Sequence, residues 1–132
     1  FIGFENEQFV NSGQVMAAVP HQPVVQAMIE EYKKLHFTNA DGSLNAVGCP
    51  HLNTDVMERF GLVRNGREQM VAGIHVYPAD YFNPLDSVTG KLTKTENTYS
   101  IHWYSMSWLP KHKQIKAKFG RLWRRITKKV KS

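Results

Sequence analysis

Charge is divided along this chain in a way that limits which parts can share a core. Residues 111–132 hold ten Lys or Arg and no Asp or Glu, whereas residues 1–110 hold seven Lys or Arg against eleven Asp or Glu. The formal net charge of +6 therefore averages an acidic body and a strongly basic tail. Lys and Arg are almost never fully buried without a partner, so the charged face of the tail is expected in solvent. Within it, Ile115, Phe119, Leu122, Trp123, Ile126 and Val130 recur at helical spacing. The expectation is a basic amphipathic helix over 111–132, weakened at Gly120 by about 1 kcal/mol relative to Ala. Three uses suit such a helix. It can lie on an anionic membrane surface, anchored by Phe119, Leu122, Trp123 and Ile126. It can be a nucleic-acid arm, or it can pack its stripe on the body. The aromatic and aliphatic stripe favours membrane or body, and no nucleic-acid partner is expected.

Residues 1–110 must then fold around their own apolar side chains, and the 42% hydrophobic content of the chain is enough for a real core. The single Cys49 excludes an internal disulfide framework and suits a reducing compartment. No apolar run approaches the roughly 20 residues of a membrane span. The chain opens on Phe1 with a strand-like run already under way, which reads as a piece of a longer protein.

Periodicity gives an alternating α/β order. Phe1–Phe4 and Gln14–Val19 read as strands around an Asn11-Ser12-Gly13 turn. Pro23 opens a helix to about Phe37 with Val24, Val25, Met28, Ile29, Tyr32 and Leu35 on one face. Residues 38–48 are a polar loop. Pro50–Phe60 reads as a helix with Leu52, Val56, Met57 and Phe60 inward and Gly61 as its stop. Arg64–Arg67 is a turn, and Gln69–Tyr77 reads as one continuous strand. Phe82–Asn97 is a long loop.

Asn97–Trp108 is the stretch richest in chemistry. Tyr99–Trp103 reads as a strand with His102 near its end, followed by Ser105, Ser107, Trp108 and the closing Pro110. An imidazole, hydroxyls and an indole N–H past a strand's carboxyl end can hold a polar ligand. The pattern His-x-x-x-x-Ser-Trp resembles the closing motif of bacterial family 32 glycosyltransferases, the Asp-x-Asp-containing enzymes of capsular polysaccharide synthesis. Gly3–Glu7, Val10–Gly13 and Pro20–Pro23 are similar to the segment after that family's Asp-x-Asp strand. Tyr77–Pro84 resembles its late strand and exit loop, and Gly48-Cys49-Pro50 is similar to a Gly-Pro helix start with Cys inserted.

The resemblance implies that residues 1–110 are the C-terminal portion of a GT-A-like nucleotide-diphospho-sugar transferase fold, followed by the basic helix 111–132. It implies a retaining, metal-dependent enzyme that moves a sugar from a nucleotide-sugar donor to a glycan or lipid-linked acceptor in cell-surface polysaccharide synthesis. The ion would be Mn or Mg, with His102 as a late ligand. Ser107, Trp108 and Lys111 would meet the donor diphosphate, and Asn11 the acceptor. Each has a plainer use: His102 hydrogen-bonded at a strand end, Trp108 in the core, Lys111 in solvent, Asn11 shaping its turn. Asp41, Asp55, Asp80 and Asp86 are isolated, so no Asp-x-Asp occurs in these residues. The acidic motif is then expected upstream, this piece alone is expected to be inactive, and the enzyme is placed in the cytoplasm at the inner face of the membrane. Glu5 and Glu7 are assigned no role. His21, His36, His51, His75 and His112 show no ligand spacing, and Cys49 shows no helix-initiating or cationic context. The alternative is a non-enzymatic module that binds membrane or polyanion through its basic tail.

Overall fold

The computed structural model describes residues 1–45, 47–105 and 110–129; of the last helix, the side chains of residues 117, 118, 121, 122 and 125–129 are not included. The elements run β1 (Ile2–Gly3), α1 (Pro23–Lys33), α2 (Cys49–Glu58), β2 (Gln69–Val71), β3 (Ile74–Tyr77), α3 (Ala79–Phe82) and α4 (Lys111–Lys129). This is a small mixed α/β domain. Its three-stranded sheet has the order β1-β3-β2, with β1 parallel and β2 antiparallel to the central β3.

The sequence reading of one strand over 69–77 is corrected here. Ala72 and Gly73 both take positive φ, 45° and 81°, as the two central residues of a tight hairpin turn. Val71 consequently sits opposite Ile74, and both are buried together with Val76. A continuous strand would have put Val71 and Ile74 on opposite faces. The signal is faint because Ala-Gly is a poor match to the Asn-Gly or Asp-Gly that such turns prefer.

The start of α1 follows from its first residues. Pro23 occupies the first helical turn, where its missing N–H costs nothing. The buried Gln22 Oε1 accepts from Val24 N at 2.6 Å, while Gln22 Nε2 donates to Ala72 O at 2.8 Å. One side chain thus caps the helix and holds it to the hairpin turn. The helix ends at Lys33 rather than Phe37, and only Val24 and Met28 of its apolar face are buried; Ile29, Tyr32 and Leu35 are exposed.

Helix α2 buries Val56 and Met57 as expected, but Phe60 is exposed. It also buries two polar residues. Thr54 Oγ1 donates to Pro50 O at 2.6 Å and accepts from Val10 N at 3.0 Å. Asn53 Nδ2 donates to Ser12 Oγ at 2.7 Å. These bonds dock the segment 10–12 on the helix, beneath a core that also takes Ile2 and Phe4. Cys49 is the first residue of α2, so it does have a helix-initiating place.

Two further strands expected from the sequence are absent. Residues 14–19 make a single bridge, Met16 to Ile2. Residues 99–103 form no strand: Tyr99 N and Ser100 N converge on one carbonyl, Tyr81 O, rather than on successive residues of a neighbouring strand.

Candidate functional site

The strongest polar constellation in the body is centred on Tyr104. Its hydroxyl accepts from Asn83 Nδ2 at 2.7 Å and from Gln14 Nε2 at 3.2 Å, and donates to Glu5 Oε1 at 3.1 Å. Glu5 Oε2 accepts from Asn11 Nδ2 at 2.8 Å. Asn83 Nδ2 also donates to Glu5 O at 2.9 Å. His102 stacks on the Tyr104 ring, with centroids 4.4 Å apart and planes 8° from parallel. Burial, and then the nearby Glu5 charge, hold the Tyr104 phenol above its ordinary pKa of 10.0. It therefore stays a neutral donor and acceptor at ordinary pH.

The backbone is bent to achieve this. Tyr104 takes φ 47°, a left-handed conformation that costs a non-glycine residue roughly 1–2 kcal/mol. The hydrogen bonds at the hydroxyl offset that cost.

Three polar atoms around Tyr104 are buried without a hydrogen-bond partner among the described residues: Gln14 Oε1, Asn83 Oδ1 and His102 Nδ1. Asn83 is only 5% exposed. A buried polar atom left unpaired costs about 1–3 kcal/mol, so the cluster is set up to gain from a ligand that supplies partners. Glu5 and Asn83 also line a cleft of about 470 Å³ whose far wall is the loop Pro84–Val88. Asp80 and Asp86 add carboxylates to that wall.

Of the residues singled out from sequence, Asn11 and His102 fall into this one cluster, linked through Glu5 and Tyr104. Asn11 does shape its turn: its Oδ1 accepts from Gly13 N at 2.7 Å and from Cys49 Sγ at 3.3 Å. His102 lies in irregular chain rather than at a strand end. Lys111 is exposed at the start of α4. Ser107 and Trp108, expected at the donor diphosphate, lie outside the described residues. Phe119 and Trp123 are exposed, while the side chains of Leu122 and Ile126 are outside the description.

Sequence reasoning missed Gln14, Asn83 and Tyr104, and gave Glu5 no role. Residues 5, 14, 83 and 104 share no local spacing, and only the fold brings them together. The one available hint was amide and phenol side chains at the ends of otherwise apolar runs.

His102 Nδ1 is the kind of donor a divalent ion accepts. Among the described residues, however, no group of three or more His, Cys, Asp or Glu side chains could hold a metal ion. These residues do not make a Mn or Mg site by themselves. What they can do is hydrogen-bond a ligand rich in hydroxyl groups.

No protein-family model matches this chain, and no curated protein or solved structure matches it either.

Proposed function

We propose that the Tyr104 cluster is the acceptor-side part of a glycosyl-transfer site. The observation that carries this is the trio of unpartnered buried atoms on Gln14, Asn83 and His102. Sugar hydroxyls donate and accept, and neutral amides and imidazoles match them without the desolvation cost of a charge. The cleft volume falls within the roughly 300–1,000 Å³ of small-molecule sites. In this reading Asn11 positions Glu5, Glu5 orients Tyr104, and Asn83, which lines the cleft, meets the sugar, with Gln14 and His102 completing the polar cluster around Tyr104. The enzyme would be a GT-A-like, retaining, metal-dependent glycosyltransferase of cell-surface polysaccharide synthesis, using a nucleotide-sugar donor. From this chain the ion would take His102 alone, and its other ligands would come from elsewhere in the enzyme.

The test is sugar binding by the chain as it stands. Saturation-transfer NMR over a panel of monosaccharides and short glycans should detect binding. Asn83→Ala should weaken it by about tenfold, as expected when one buried hydrogen bond is lost. A panel in which no sugar binds to the folded protein, or in which Asn83→Ala binds as well as the parent, overturns the reading.

A further inference from the structure

We infer that α4 is a docking helix for an anionic membrane surface. Ile115, Phe119 and Trp123 follow one another at four-residue intervals and form one stripe. They are 54%, 68% and 69% exposed, so the body does not cover them. The helix has 19 residues, a length of about 28 Å at 1.5 Å per residue. It does not cross a bilayer: among the described residues no helix is long and apolar enough. Lys111 and Lys116 flank the stripe at helical spacing and are exposed.

Charge decides between the possible occupants. The segment from residue 111 onward holds ten Lys or Arg and no acidic residue. The same helix of a second copy would bring ten like charges against ten. A neutral apolar groove would take the stripe and gain nothing from the charge. Nucleic acid would take the charge and leave an aromatic stripe in water. An anionic headgroup layer takes both, burying Phe119 and Trp123 at the acyl boundary while Lys and Arg meet phosphate.

A hydrogen bond joins α4 to the body on a side of the helix about 140° around from the stripe, at 100° per residue. Arg124 Nε donates to Val88 O at 3.0 Å, and Val88 belongs to the wall of the cleft that reaches Glu5 and Asn83. Membrane docking itself rests on α4 alone.

Co-sedimentation of the whole chain with vesicles tests it. Phosphatidylcholine vesicles containing phosphatidylglycerol should pellet the protein, and pure phosphatidylcholine vesicles should not. Added salt should release it. The double substitution Phe119→Ser with Trp123→Ser changes two exposed residues and should leave the fold intact. It should reduce vesicle binding by about tenfold or more, given the transfer energy of two large side chains. Failure of the parent chain to pellet with anionic vesicles overturns the inference. So does equal binding by the double variant, because α4 would then be a charge-only arm, a result that duplex DNA binding unaffected by the two substitutions would make explicit. None of these outcomes involves sugar, so loss of docking and loss of the acceptor site are separately visible.

Discussion

Helix α2 buries Asn53, Thr54, Val56 and Met57, two of them polar, while α4 leaves Ile115, Phe119 and Trp123 largely in solvent. The cleaner amphipathic stripe belongs to the helix that is less buried. What α2 has is partners. Val10 N and Ser12 Oγ meet Thr54 and Asn53, so polar groups enter the interior already bonded. Helix α4 carries a high density of like charge with no acid of its own, and its described apolar side chains Ile115, Phe119 and Trp123 face solvent. Burial here is decided by what stands opposite, not by the hydrophobic pattern of the helix itself.

The comparison breaks most readily with a matched pair of truncations. Met57 is fully buried in the core and Phe119 is 68% exposed. Met57→Ala should cost about 2–5 kcal/mol, the transfer and cavity terms together. Phe119→Ala should stay within about 0.5 kcal/mol. Urea denaturation followed by fluorescence measures both. Comparable losses would mean that α4 is part of the core after all.

Acid offers a smaller test of the same contrast. Helix α1 is fastened to the end of α2 by Glu31, whose Oε1 receives Arg59 Nη1 at 2.6 Å and Lys34 Nζ at 2.9 Å. The Arg59 bond first, then the Lys34 bond, depresses the Glu31 carboxyl from 4.5 to about 2. A depressed carboxylate stabilises the fold above its unfolded pKa, and that contribution disappears as pH falls through the folded value. The window is therefore from about pH 4.5 down to about pH 2. The difference in urea midpoint between the parent and Glu31→Gln should shrink across it. The pair is solvent-facing, so the difference is modest even at neutral pH. A difference that does not change with pH would remove Glu31 as the clasp. The tail has no acidic residue to contribute a competing change.

These contrasts also explain which parts were legible beforehand. Pro23 and the 3.6-residue period announced α1, Gly61 closed the α2 region, and Arg64–Arg67 marked a turn, because each signal is local. The basic helix was legible for the same reason. The hairpin at 72–73 was hidden because Ala sits at φ 45°, where Asn, Asp or Gly is the usual sign. The strand expected at 99–103 failed because its first amides both turn to Tyr81 O instead of a neighbouring strand, a tertiary contact that residue type does not announce. The Tyr104 cluster was least legible: Asn11 and His102 drew notice singly, but Glu5, Gln14, Asn83 and Tyr104 acquire meaning only from contacts spanning up to 99 residues of sequence. The buried Asn53 and Thr54 were read past for the same reason, since their partners lie more than 40 residues away.

The smallest effect comes from Gly120, and it separates helix stability from fold stability. Gly120 lies inside α4, and a Cβ built there meets nothing nearer than Arg124 Nη1 at 3.6 Å. No steric penalty offsets the propensity gain of Gly→Ala, about 1 kcal/mol in a helix interior. Where that gain appears depends on how α4 is held. A helix that stands apart from the core is near its own coil transition, because isolated helices of this length are marginal. Gly120→Ala should then raise the far-ultraviolet helical signal and broaden the early part of a thermal melt. The urea midpoint of the body, read from the near-ultraviolet signal of its half-buried Tyr77, Tyr81 and Tyr104, should not move. A helix packed into the core would behave otherwise, since its gain would be shared with the whole cooperative unit and the midpoint would rise. A shifted midpoint with no change in helical signal would therefore place α4 with α2, on the buried side of the comparison.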